Sequence, residues 1–213
     1  MVWLRRSVSS TERRSHRPFM LKTAFLIFLA LSISIVGGGA SLWYALRMQE
    51  GVGAVTIDGW TAFPEIGTPG ADPYSKARVA REGLLSLGRA EGLSFSTQRD
   101  SMGDVLDREC QYRVEGSVPS SRLWTLHATD RAGSLITAGT LRAPALHSGE
   151  LLRMPDNSFS ISVGAQPRPG NWLALSGTGP MVLVLTLYDT TIASSTGLTN
   201  ISLPQIVRVG CDA

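Results

Sequence analysis

A chain of 213 residues with a hydrophobic fraction of 43% has room for one ordinary globular domain with appendages, and its composition excludes a wholly disordered polymer. The formal charge of +3 is unevenly spread. Residues 1–22 hold Arg5, Arg6, Arg13, Arg14, Arg17 and Lys22 against Glu12 alone, so the remainder is slightly acidic. It offers no bulk basic surface for phosphates, and nucleic acid is not expected as a partner.

From Thr23 to Leu46 no charged residue occurs, and Ala24 to Leu31 is apolar on every face of a helix. Twenty-four residues at about 1.5 Å each reach roughly 36 Å, enough to cross a hydrocarbon core of about 30 Å. The basic cluster precedes this run and only Arg47 closely follows. The positive-inside bias therefore puts the N-terminus in the cytoplasm and the rest outside, with Trp43 and Tyr44 at the outer interface. A cleaved signal peptide is the rival, with Met20 as the start and Gly38-Gly39-Ala40 as a small-residue cleavage site. Against it, the apolar stretch continues through Leu42-Trp43-Tyr44-Ala45-Leu46, which a soluble mature N-terminus would expose. Arg13-Arg14 lies too far from Phe19-Met20-Leu21-Lys22 for twin-arginine export. Gly37-Gly38-Gly39 either admits a second helix or loosens the outer half of this one, and loosening is the default.

The two cysteines, Cys110 and Cys211, both follow the apolar run, on the side that the charge bias makes oxidising. One disulfide between them is expected. Without CxxC spacing, and with scattered histidines, no metal site is expected.

After the apolar run, residues 51–57 and 60–64 form a short extended stretch leading into the domain. Asp72-Pro73 supplies an N-cap and a first-turn proline, and Tyr74, Ala77, Val79, Ala80, Leu84, Leu85 and Leu87 follow with helical spacing, so a helix is expected over about 73–88. The later chain is strand-like at 93–99, 110–115, 123–129, 135–141, 159–163, 172–175, 182–188 and 206–209. Between these lie turn sequences: Asp100-Ser101-Met102-Gly103, Asp130-Arg131-Ala132-Gly133, Pro155-Asp156-Asn157-Ser158 and Arg168-Pro169-Gly170. Phe159–Val163 alternates as a half-buried strand, whereas Val182–Leu185 reads as buried on both faces. Short antiparallel strands with regular turns predict a mostly β sandwich or jelly-roll.

Several motifs recur in order: Asp72-Pro73-Tyr74 with the helix through Gly83, Asp100 to Leu106, Tyr112-Arg113-Val114-Glu115-Gly116, Leu123-Trp124-Thr125-Leu126, and Asn171-Trp172-Leu173 leading to Leu187-Tyr188-Asp189. Together they resemble the bacterial domain of unknown function numbered 1214, over about residues 70–210. The resemblance implies a jelly-roll-like antiparallel β-sandwich with one N-terminal helix, here behind a single transmembrane helix. Longer members carry a second domain in front. This chain has Ala174 where the family usually places proline, and Thr186 where it places arginine ahead of Leu187-Tyr188, so any ligand contact of that arginine does not carry over. The resemblance brings no established activity. The expected organisation is a basic cytoplasmic tail (1–22), a transmembrane signal anchor (23–46), a linker with a leading strand (47–69) and the β-sandwich (70–213). The expected location is a bacterial inner membrane, crossed once, with the domain in the periplasm.

Candidate chemistry is sparse. His127 and His147 are the histidines beyond the apolar run, no Gly-x-Ser-x-Gly elbow occurs, and His127 sits in strand sequence where a solvent-facing or hydrogen-bonded imidazole is the ordinary reading. Asp100, Asp104, Asp107 and Glu109 cluster, but their spacing fits no calcium loop and Asp-Ser-Met-Gly is turn chemistry. Gly177-Thr178-Gly179-Pro180 lacks the helix and lysine of a phosphate cradle. Catalytic residues are thus not identifiable, and no cofactor is expected. Trp60, Trp124 and Trp172 each read first as core. Trp172, with Asn171 at a strand start, is the one placed to reach a rim and touch a ligand. Two functions stay open: a non-catalytic envelope module binding a glycan, lipid or partner protein, and a hydrolase or lyase acting on an envelope polymer through the Asp100–Glu109 carboxylates and His127.

Overall fold

The computed structural model describes residues 17–47, 53–82, 87–88, 91–139, 143–194 and 201–211, and the chain divides into two units, Met1–Arg47 and Met48–Ala213. The first holds one helix, α1 (Arg17–Arg47). Within it Leu21–Tyr44 forms a span of 24 residues with mean hydropathy 2.1, long and apolar enough to cross a membrane. Its leucines, isoleucines and phenylalanines are exposed around the helix, the pattern of a segment whose apolar side chains face lipid rather than protein. The helix continues through Gly37, Gly38 and Gly39.

The second unit is mostly β. Its elements are β1 (Val55–Ile57), β2 (Trp60–Ala62), α2 (Pro73–Glu82), β3 (Gly92–Thr97), β4 (Cys110–Gly116), β5 (Ser121–Thr129), β6 (Ala145–His147), β7 (Phe159–Gly164), β8 (Asn171–Ala174), β9 (Val182–Thr190), a 3-10 turn at Thr191–Ser194, and β10 (Gln205–Cys211). Strand order is β1-β2-β3-β9-β5-β6 in one sheet and β10-β4-β7-β8 in the other. Alternate side chains of both sheets meet in one core. Phe95, Trp124, Leu126, Leu185 and Leu187 come from the first sheet, and Tyr112, Val114, Ile161, Val163 and Leu173 from the second. The result is a β-sandwich.

Local chemistry accounts for the elements. Asp72 Oδ1 accepts the amides of Tyr74 and Ser75 and so caps α2. The same bonds, led by the Ser75 hydroxyl, hold its carboxyl below the usual carboxylate range. The expected continuation of this helix over 83–86 lies outside the described residues. Two loops repeat one design. In Asp100–Asp104 and in Asp130–Ser134 the aspartate carbonyl accepts the glycine amide, and its carboxylate accepts the amides two and four residues on. Gly103 and Gly133 take φ of 93° and 85° to close these turns. Phe159–Val163 alternates in burial as its sequence does, and β9, central in its sheet, is buried on both faces except at Val184 and its C-terminal end.

Three features differ from the sequence expectations. The strand expected over 135–141 is only an isolated bridge between Leu135 and Thr129. After Ile136 donates its amide to Ala128, the Thr137 carbonyl turns to the Ser176 hydroxyl and leaves the ladder, and Ala145–His147 pairs with β5 instead. Residues 140–142 lie outside the described residues. Next, β7 and β8 pair in parallel rather than antiparallel. A short link suffices because only four residues overlap, so the chain need return just a few residues' length. Finally, β1 and β2 form a true hairpin, paired through β2 to β3. Asp58 and Gly59, with φ of 49° and 83°, make its two-residue turn, the Asp-Gly signature of such hairpins.

Cys110 and Cys211 are joined as a disulfide. They sit directly opposite each other where β10 pairs with β4, so the bridge closes the C-terminal strand onto the sheet.

Candidate binding cleft

Each open edge of the sandwich carries a cleft. One, of about 530 Å³, is lined by Thr56 and Thr61 of the first hairpin, by the loop of residues 97–103 and by Gln205 of β10. The other, of about 480 Å³, lies between β6 and β8, the opposite edge strands of the two sheets, and is roofed by residues 150–152 and 167–170.

The first cleft is built from groups already engaged within the fold. Asp58 Oδ2 accepts the Leu203 amide, Arg99 donates to the Gly103 carbonyl, and Ser101 Oγ accepts the Ile206 amide. Asp100 is buried and binds the amides of Met102 and Asp104 and, at 3.2 Å, the Arg208 guanidinium. These carboxylates hold a turn and a strand together. Asp107 likewise accepts the Glu109 amide.

His127 is not brought to them: on β5, between Ala145 of β6 and Val184 of β9, it has no hydrogen bond or ion pair to a carboxylate among the described residues. Its burial holds the imidazole below the ordinary value, in the neutral form. Among the described residues no group of three or more His, Cys, Asp or Glu side chains is placed to hold a metal ion.

The second cleft contains both residues singled out from the sequence. Trp172 is half-buried, and its indole Nε1 donates to the Gly164 carbonyl at 3.0 Å, which fixes the ring. Asn171 is committed: its Oδ1 accepts the Leu152 amide while its Nδ2 donates to the carbonyls of Leu152 and Ser160. It therefore clips the 150–152 segment to β8 and shapes the cleft wall. Leu146, Leu151, Leu152 and Pro167 add apolar surface, and Glu150 and Arg168 add charge. Glu150 faces His147, 3.0 Å away, across an exposed pair. Arg168 carries no signal in the sequence beyond its place in the Arg-Pro-Gly turn. Glu150 and the leucines of 151–152 lie in a stretch that predicted no element. Trp60 and Trp124, by contrast, are fully in the core, with Trp60 Nε1 donating to the Pro204 carbonyl.

An aromatic platform of fixed orientation beside apolar walls and a few charged groups is the composition of a small-ligand or sugar site.

Residues 91–192 match the model of the family described as Protein of unknown function (DUF1214), so this segment of the β domain is similar to that family. No curated protein matches the chain. Among solved structures, the VPA0106 protein from Vibrio parahaemolyticus is similar with a TM-score of 0.53 and 19% identity, over 66% of this chain and 36% of that one. An uncharacterized protein from Burkholderia cenocepacia gives a TM-score of 0.35 and 18% identity over 83% of this chain and 51% of that one. The chain thus spans about a third to a half of these proteins, and the first likeness speaks to the fold alone.

Proposed function

We propose that this protein is a membrane-anchored, non-catalytic binding module that holds a glycan, lipid or partner protein of the bacterial envelope in the cleft at Trp172. The observation that carries the reading is the half-buried indole, locked by its bond to the Gly164 carbonyl and lining an open cleft between two edge strands. A ring held in place loses little freedom when a ligand lands on it, which favours binding.

The anchored topology is part of the same proposal: α1 stays attached, the N-terminus is cytoplasmic and the β domain is periplasmic. Three observations support it. The apolar run passes Ala40 and reaches Tyr44, the basic residues precede it, and the Cys110–Cys211 bridge suits an oxidising compartment. A mature N-terminus at Ser41, read by mass spectrometry of the purified protein, would replace the anchor with a cleaved signal.

Isothermal titration of the detergent-solubilised full chain against envelope oligosaccharides, phospholipids and envelope protein fractions tests the binding role. Saturable binding without turnover, lost in Trp172→Ala, is the expected result. Conversion of a glycan or ester substrate by the same preparation would favour the hydrolase or lyase reading instead.

A further inference from the structure

We propose a second ligand surface, independent of the Trp172 cleft: the outer face of the six-stranded sheet binds an uncharged glycan across Thr125, His127 and Tyr188.

Strand alternation decides which side chains stand on this face. Phe95 of β3, Leu185 and Leu187 of β9, and Trp124 and Leu126 of β5 point into the core, so the residues between them point out. From β1 to β6 these outward positions are mostly serine and threonine, and none of them is Asp, Glu, Lys or Arg. Solvated protein surface ordinarily mixes both signs of charge. The second sheet follows that rule, with Arg113 and Glu115 paired at 2.7 Å on its outward side. On the first sheet, the carboxylate that meets the face among the described residues is Glu150, 3.0 Å from His147 at the β6 rim.

The centre of the face holds polar groups without partners. Thr125 lies opposite Thr186, whose hydroxyl is already shared with Ser94 at 3.1 Å. Thr125, His127 and Tyr188 are half-buried, yet their side chains have no hydrogen bond, ion pair or ring contact among the described residues. Thr125 and His127 stand about 6.8 Å apart along β5, and Tyr188 rises from the adjoining strand about 4.8 Å away. Tyr188 also lies opposite Gly92, where a Cβ would strike the Leu187 carbonyl oxygen. Bare backbone at that position leaves one side of the ring without a directly opposed side chain.

This combination selects a ligand by charge and polarity. An anion needs cations, and a cation needs carboxylates, that the face lacks. An acyl chain or an apolar protein surface would cover the hydroxyls and the imidazole without pairing them, which costs free energy at each. A sugar pairs them. Each hydroxyl, and the His127 imidazole held neutral by its burial, offers a donor and an acceptor to sugar hydroxyls, while the Tyr188 ring takes the apolar C–H face of a pyranose.

The test uses the full chain in a polyoxyethylene detergent, whose head group carries no sugar, titrated calorimetrically with maltohexaose, cellohexaose, laminarihexaose and chitohexaose. At least one should bind saturably, with an affinity unchanged between low salt and about 0.5 M salt. Tyr188→Ala should weaken that binding about tenfold or more, and the isosteric Thr125→Val about fivefold, the size of one neutral hydrogen bond. Arg113→Gln, on the other sheet, should bind as the parent does. Circular dichroism and thermal melting report which variants are folded, and if Tyr188→Ala is not, Thr125→Val decides. The proposal is overturned if none of the four oligosaccharides binds, if affinity falls steeply with salt, or if the folded face variants bind as the parent does. Binding that survives the face variants but is lost in Trp172→Ala belongs to the cleft, so the two readings fail separately. Self-association in sedimentation that Tyr188→Ala abolishes would make the face a contact between copies of this chain and would also overturn the proposal.

Discussion

Arg208 of β10 brings its guanidinium Nε to 3.2 Å from Oδ2 of Asp100, a carboxylate buried in the turn that follows β3. The same side chain lies over the Tyr112 ring, 5.6 Å from its centroid, and donates to the Val105 carbonyl. One residue thus joins the C-terminal edge strand to the turn and to β4. Truncating it would leave the Asp100 charge buried without its cation. Arg208→Ala should therefore cost about 2–3 kcal/mol in urea denaturation. Asp104 also faces Arg208, at 3.7 Å, but is mostly exposed, so Asp104→Ala should change stability by no more than about 0.5 kcal/mol. Similar losses in the two variants would show that the buried aspartate is not what Arg208 serves.

The Cys110–Cys211 bridge stabilises the same strand by another route. It closes a long loop, with a sequence separation of 101, and so restricts the unfolded chain more than the folded one. Replacing both cysteines by serine should cost about 3 kcal/mol, within the range usual for a native disulfide. Unreduced protein unfolded in guanidinium should give no reaction with a thiol-specific reagent. Two reactive thiols there would remove the bridge from the account.

Much of this arrangement is legible in local chemistry. Asp100-Ser101-Met102-Gly103 and Asp130-Arg131-Ala132-Gly133 name their turns because an aspartate and a left-handed glycine suffice to close them. Alternation at Phe159–Val163 and the capping pair Asp72-Pro73 are equally local. Where pairing depends on distant partners, the sequence is silent. Nothing near Leu135 says that the Thr137 carbonyl will take a hydroxyl from Ser176, or that Asn171–Ala174 will run parallel to β7. The cleft is intermediate: the turn before Trp172 places that ring near a rim, but Arg168 and Glu150 line one cleft only because β6 and β8 are the edges of different sheets.

His127 makes stability depend on pH in a definite direction. Burial lowers its folded pKa below the ordinary 6.5, so the unfolded chain binds more protons in the window between the two values. The contribution is complete above pH 6.5 and is lost as pH falls through that window to the folded value. Denaturant midpoints measured from pH 7.5 down to pH 5 should decline. His127→Gln, which cannot titrate, should flatten that part of the curve. A slope unchanged by the substitution would place the titrating group elsewhere.

Trp124 and Trp172 should separate folding from binding. Trp124 is buried against Phe159, with ring centroids 4.8 Å apart, in the strand that pairs with both β6 and β9. Trp124→Ala opens a large cavity at the centre of the sandwich and should cost about 3–5 kcal/mol. Trp172 keeps part of its ring in the open, and its anchoring contact is the Gly164 carbonyl at the sheet edge. Its loss removes the hydrogen bond to Gly164 and the burial of only part of a ring, so Trp172→Ala should cost less than Trp124→Ala, about 1–2 kcal/mol. Ligand affinity should shift in the opposite order, falling at least about tenfold in Trp172→Ala at temperatures where both variants remain folded. Thermal melts and titrations on the same preparations read both quantities. If the two substitutions lower the melting temperature equally, Trp172 is core rather than rim, and the cleft loses the platform on which its binding role depends.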